Sequence, residues 1–202
     1  LNYILQNSYY SGSTTEETTN HLLRTNASAA LVQDLFFLDG SANVAQQNQS
    51  PFGQVTDTNI NLSDNRVEVR TYRASPYFRY NFENNFTGEL RYAYDSVTHK
   101  ADGKSFSIIN SQADNVLFRL KSGSAFKTIN WGLNYRHQNI RYDVKQTPLE
   151  MEMSTASLGF QVSPLFRLTS TVGYEKNSYI SLEKKPSGVF WSAGFAWTPS
   201  AR

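Results

Sequence analysis

Cysteine is missing from the 202-residue chain, which removes disulfides and thiolate metal sites from consideration. A chain without thiols also suits unfolded passage through an oxidising periplasm, although many soluble proteins lack cysteine as well. Long apolar runs are missing too. No stretch approaches the ~18 consecutive apolar residues of a membrane helix. Hydrophobic residues make up 39% of the chain and mean hydropathy is −0.50, so a transmembrane helix is excluded. Charge of one sign is scarce. Nineteen Lys and Arg against 17 Asp and Glu leave a net charge of +2, too little to suggest a nucleic-acid partner. Neither an initiating Met nor a charged-then-apolar leader opens the sequence at Leu1, so no signal peptide is visible. The chain stops at Trp197-Thr198-Pro199-Ser200-Ala201-Arg202. It is read as one domain over residues 1–202, either a mature segment or a piece of a longer protein truncated at one or both ends.

Aromatic residues are abundant, with 12 Tyr and 13 Phe, and they fall in an alternating pattern. Residues 86–97 set the theme. Phe86, Leu90, Tyr92 and Tyr94 occupy one parity, while Thr87, Glu89, Arg91 and Asp95 occupy the other. Successive strand side chains point to opposite faces, so this is a strand with one face for an apolar medium and one for water. The same alternation returns along the chain: Phe36 and Leu38 against Asp39 and Ser41, Val116 and Phe118 against Arg119 and Lys121, and Trp131 and Tyr135 against Asn134 and Arg136. Within residues 66–82 the parity changes, from Val67, Val69 and Thr71 to Phe78, Tyr80 and Phe82. A bulge is therefore expected in residues 72–76, at Pro76.

About ten strands result. Their connections sort by length: short turns near Gln33, Asn84, Gly123, Pro164 and Pro199 alternate with long polar links at 11–19, 48–64, 98–112, 141–150 and 175–188. Long loops on one side and short turns on the other mark outer-membrane barrels. The expected fold is all-β, an antiparallel up-and-down transmembrane β-barrel, or part of a larger one. Two aromatic bands agree with interfacial girdles. Phe36, Phe82, Phe86, Trp131 and Trp197 lie toward the short turns, and Tyr92, Tyr94, Tyr135, Tyr174 and Trp191 toward the long links. The competing arrangement is a soluble β-sandwich with those aromatics in its core and a carbohydrate-binding surface.

In a barrel, Arg79, Glu89, Arg91, Asp95, Arg119, Lys121 and Arg136 line the lumen, because Arg or Lys facing lipid near the midplane costs about 2–4 kcal/mol. Such mixed charges either tune a pore or fill the lumen with ion pairs. The three histidines, His21, His99 and His137, are far apart and share no metal-ligand spacing, so no metal site or cofactor is expected. Asp95, Asp102 and Asp114 flank one link and are weighed as calcium ligands, against the ordinary reading of solvated loop carboxylates. His137 shares a parity with outward positions and no nucleophile elbow is present, so no catalytic residue is expected.

Five strings carry a resemblance: Leu35-Phe36-Phe37-Leu38-Asp39, Ser50-Pro51-Phe52-Gly53, Ser75-Pro76-Tyr77, Gly173-Tyr174-Glu175 and Trp191-Ser192-Ala193-Gly194-Phe195-Ala196-Trp197-Thr198-Pro199-Ser200. In this order the chain resembles the PEP-CTERM system-associated outer-membrane β-barrel family of Gram-negative bacteria. The resemblance implies the N-terminal part of a longer barrel in the bacterial outer membrane. It also implies a pore or scaffold role in exopolysaccharide production and export, linked to the PEP-CTERM sorting system, with no catalytic residues to carry over. The implied partners are outer-membrane lipid and polysaccharide or export-machinery proteins. The alternative within this class is a structural or adhesive surface barrel without transport.

Overall fold

The computed structural model describes residues 2–10, 16–48, 66–100, 109–143, 148–179 and 185–199. The polar segment 49–65, the string at residues 50–53 and Asp102 lie outside them. The strands are β1 (Asn2–Tyr10), β2 (Glu16–Val32), β3 (Phe36–Asn48), β4 (Arg66–Phe82), β5 (Phe86–Lys100), β6 (Ser111–Ser122), β7 (Ile129–Tyr142), β8 (Leu149–Ser163), β9 (Phe166–Tyr179) and β10 (Ser187–Trp197). They form one ten-stranded sheet in sequence order, and every neighbouring pair is antiparallel. There is no second sheet among the described residues, so the two-layer sandwich arrangement is not adopted. The sheet is not closed: β1 pairs only with β2 and β10 only with β9.

Register divides the side chains cleanly between two faces. Opposite residues such as Arg79 and Glu89, Glu89 and Arg119, and Arg119 and Asn134 share one face. Phe78 and Leu90, Leu90 and Phe118, and Phe118 and Tyr135 share the other. The burial is the reverse of a water-soluble sheet. On the polar face Ser75 and Ala93 are 1% exposed and Glu89 6%, whereas Phe78, Leu90 and Val172 on the apolar face are each 51% exposed. With no layer packed on either side, such enclosure arises where neighbouring side chains converge, so the sheet curls toward its polar face.

The expected bulge in residues 72–76 is absent. β4 pairs in unbroken register with β3 from Arg66 to Phe78, and its pairing with β5 keeps one register on both sides of Pro76. The parity change is instead an exchange of apolar and polar sides along one unbroken pleat. Toward the long-connection end, the face that carries Arg79 and Arg91 carries Val67, Val69, Val97, Ala113, Ile140 and Met151. Val67, Val69 and Ala113 are buried there. The opposite face, apolar lower down, carries Glu68, Arg70, Lys100, Asp114, Arg141, Glu150, Glu152 and Lys176 at the same level. The amphipathicity inverts along the strands.

This inversion also explains strand ends that sequence reading misplaced. Residues 141–150 read as a loop, but β7 continues to Tyr142 and β8 begins at Leu149. Likewise β6 begins at Ser111, β5 runs to Lys100 and β9 to Tyr179. Polar residues on the outward face beyond the apolar band mimic loop composition. The length sorting is correspondingly looser than expected, since the connection 123–128 matches 143–148.

The short turns brace one another. At the β4–β5 turn, Asn85 N donates to Phe82 O at 3.0 Å, and the left-handed residue is Glu83 (φ 51°). Gly123, after β6, donates its N–H to Asn85 O at 2.7 Å, and Ala125 N donates to Asn84 O at 2.9 Å. A Cβ on Gly123 would collide with the Asn84 backbone carbonyl, so glycine is what lets the two turns dock.

Candidate functional site

The densest polar arrangement lies on the curled-in face of β3, β4 and β5. Register brings Asp39 opposite Ser75, Tyr77 opposite Arg91, and Arg79 opposite Glu89. Glu89 is the hub. Its Oε2 accepts from Arg79 Nε at 2.9 Å and Arg79 Nη2 at 2.7 Å, and its Oε1 accepts from Arg91 Nε at 3.0 Å. Arg91 Nη1 reaches across to Asp39 Oδ2 at 2.8 Å and to Ser75 Oγ at 3.1 Å. Ser75 Oγ donates in turn to Tyr92 O at 3.1 Å. The Arg91 guanidinium lies 3.7 Å from the centre of the Tyr77 ring and that of Arg79 5.1 Å from it, close enough for cation–π attraction. Tyr77 itself stacks on Phe37 at 5.0 Å. Two guanidiniums, two carboxylates and an aromatic floor form one network, with each carboxylate charge-matched and hydrogen-bonded.

All seven charges assigned to the lumen from sequence, Arg79, Glu89, Arg91, Asp95, Arg119, Lys121 and Arg136, share this polar face. The fold brings them together unequally. Arg79, Glu89 and Arg91 meet directly. Asp95 faces Arg73 at 3.6 Å and accepts from Asn115 Nδ2 at 2.8 Å. Arg119 Nε donates to Asn134 Oδ1 at 3.1 Å. Sequence reading missed Asp39, Arg73, Ser75 and Tyr77 as members, although the parity of Asp39 against Leu38 already put it on the polar side.

From β6 to β9 the same face carries Arg119, Lys121, Arg136 and Arg167. Among the described residues none of these has a carboxylate within ion-pair distance. Arg167 Nη2 donates to Asn130 Oδ1 at 2.5 Å instead. Glu175 is the one carboxylate on that face over the described part of β6–β9, so the face is charge-balanced over β3–β5 and net cationic over β6–β9.

All ten aromatics assigned to the lipid interface, Phe36, Phe82, Phe86, Tyr92, Tyr94, Trp131, Tyr135, Tyr174, Trp191 and Trp197, share the opposite face. Toward the short turns they cluster: Phe36 stacks on Phe78 at 4.6 Å, Phe82 on Phe86 at 4.2 Å, and Phe126 meets Trp131 edge-on at 6.2 Å. At the other end the tyrosines mark the level where the face turns polar. The Tyr92 hydroxyl donates to Asp114, which also accepts from Arg141 Nη2 at 2.6 Å. Asp95 and Asp114, weighed together as calcium ligands, lie on opposite faces, because Asp95 pairs with Ala113 and Asp114 with Tyr94. Two of the three histidines, scattered in sequence, do not stay isolated. His21 Nδ1 lies 3.0 Å from the Tyr3 hydroxyl, and His137 meets Glu150 and Glu152. Comparison of the chain with protein families, with curated proteins and with solved structures finds no match to any of them.

Proposed function

We propose that this sheet is a wall of an outer-membrane β-barrel whose apolar face meets lipid and whose polar face lines a water-filled passage. The inversion of amphipathicity along the strands supports this reading above all. A soluble sheet keeps one face apolar from end to end, whereas here the outward face is apolar only over a band. That band runs from Phe86 to Tyr94 on β5 and from Phe82 to Tyr72 on β4. Those spans are about 27–34 Å along the strand, or about 20–26 Å tall at the ~40° tilt of such walls, against an apolar belt of about 25 Å in outer-membrane barrels. Above the tyrosine row most charges lie outward and the valines inward, the order a sheet takes in water. In water the lower band is costly: inside the sheet Phe78 and Leu90 are each 51% exposed, and at its edge Trp191 is 77% exposed, a run of exposed apolar side chains of the kind monomeric soluble proteins rarely show. Open strand edges are equally costly in hydrocarbon, so under this reading β1 and β10 pair with each other or with further strands.

The cations of β6–β9 supply the selectivity. Arg119, Lys121, Arg136 and Arg167 give the passage a preference for anionic solutes, acidic polysaccharide among them. The tie to exopolysaccharide export and the PEP-CTERM system rests on the resemblance of the five sequence strings. Planar-bilayer recordings of the full-length protein in a KCl gradient test the proposal. The expected result is a conductance whose reversal potential lies on the chloride side, shifted toward potassium by Arg119→Glu with Lys121→Glu. Insertion without conductance favours the second reading, a structural or adhesive barrel. The charge-balanced Asp39–Arg91–Glu89–Arg79 network is the observation on its side, because paired charges can fill a lumen as well as line one.

A further inference from the structure

The β7–β8 pairing makes a second chemical site, on the outward face above the tyrosine row. His137 stands directly opposite Glu152, and Glu150 lies two residues along β8 on the same face. His137 Nδ1 is 3.6 Å from Glu152 Oε1, and its Nε2 is 3.7 Å from Glu150 Oε1. One donor atom from each residue falls within 4.8 Å of the other two, and no other such trio of His, Cys, Asp or Glu occurs among the described residues. These separations are too long for good hydrogen bonds. Because the two contacts use different ring nitrogens and one ion takes only one of them, the distance that bears on binding is the 4.8 Å within which one donor atom from each residue lies. Modest side-chain rotation brings such atoms to the ~3–3.5 Å spacing around an ion bound at about 2.0–2.2 Å. Among the described residues none of the three side chains makes a hydrogen bond; their contacts are the two long ones within the trio and that of Lys176 Nζ with Glu152 Oε2 at 3.9 Å. The remaining neighbours across the strands are Val116 on β6, Asn139 on β7 opposite Glu150, and Ser178 on β9, and Arg141 is engaged by Asp114. Two carboxylates beside one lysine leave the patch anionic.

We propose that His137, Glu150 and Glu152 form a divalent transition-metal site. One imidazole nitrogen and two carboxylate oxygens suit Zn²⁺ and its borderline neighbours better than Ca²⁺, which takes six to eight oxygens. The ion cross-links β7 to β8 beside the connection 143–148. The three side chains are 30–45% exposed, so its remaining coordination positions stay open to water or to an anionic oxygen ligand from outside. The site stands on register and distances alone and does not depend on a transport role.

Calorimetric titration of Zn²⁺ into the detergent-folded protein, paired with the visible spectrum of Co²⁺ as a report on ligands, tests the assignment. One site per chain is expected, with Zn²⁺ preferred to Ca²⁺. His137→Gln and Glu150→Gln should each weaken it at least tenfold, as even outer partners of metal ligands cost 10–100-fold. Both should also remove the Co²⁺ band, while His99→Gln leaves affinity unchanged and Lys176→Met tightens it. No uptake at millimolar Zn²⁺, or unchanged affinity in both ligand variants, overturns the assignment. Each variant is checked for the heat-modifiable gel mobility of the folded wild type, and Glu150→Gln decides the matter if His137→Gln does not fold.

Discussion

Val172→Arg lowers the stability of the lipid-inserted protein by about 2–4 kcal/mol, whereas Thr171→Arg, one residue earlier, changes it by less than about 0.5 kcal/mol. The two positions are neighbours on one strand at one level of the sheet; they differ in face. Val172 sits midway along the apolar band of β9, between Ala156 on β8 and Trp191 on β10, and is 51% exposed. With the apolar face in lipid, as proposed, an arginine there must strip its guanidinium of water or drag water into hydrocarbon. Thr171 lies between Ser157 and Ser192 on the polar face, where a guanidinium stays hydrated. Urea unfolding from lipid vesicles measures both. Were the apolar face in water, a half-exposed valine would accept arginine at little cost, and the two variants would behave alike.

Glu89→Ala costs about 3 kcal/mol, measured in the same way. Breaking a buried ion pair from one side typically costs about 3–5 kcal/mol, because the abandoned charge stays desolvated. Glu89 is 6% exposed and accepts three hydrogen bonds from two arginines. The low end of the range applies because the Arg79 side chain is 43% exposed and turns to water once released, while Arg91, 19% exposed, keeps Asp39. Asp95→Ala provides the contrast. Its pair with Arg73 spans 3.6 Å with both partners more open, and its short contact is the Asn115 amide, so the loss is about 1–1.5 kcal/mol. A double-mutant cycle between Glu89→Ala and Arg91→Ala should return a coupling of about 1–3 kcal/mol.

The division into faces was legible because strand alternation is strict where the surroundings are constant. Glu89 and Arg91 against Leu90 and Tyr92 permit one reading, and the fold keeps it. Legibility failed where the surroundings change along a strand. In a single sequence, Val67 and Val69 on one parity followed by Phe78 and Tyr80 on the other look like a register slip. An unbroken pleat whose apolar side switches face along its length produces the same string. The same effect hid the ends of β7 and β8 and, with them, the meeting of His137 with Glu152. That contact depends on which residues two strands place opposite each other, and local spacing carries no trace of it. Asp39 in the Arg91 network was half legible, its face from parity but its partner only from register.

The lipid-facing assignment can be tested without any substitution, because the three tryptophans of the chain, Trp131, Trp191 and Trp197, all lie on the apolar face. With the protein folded into vesicles whose acyl chains carry bromine, most of the tryptophan emission should be quenched, while aqueous iodide leaves it nearly unchanged. Emission quenched by iodide and indifferent to brominated lipid would contradict the assignment.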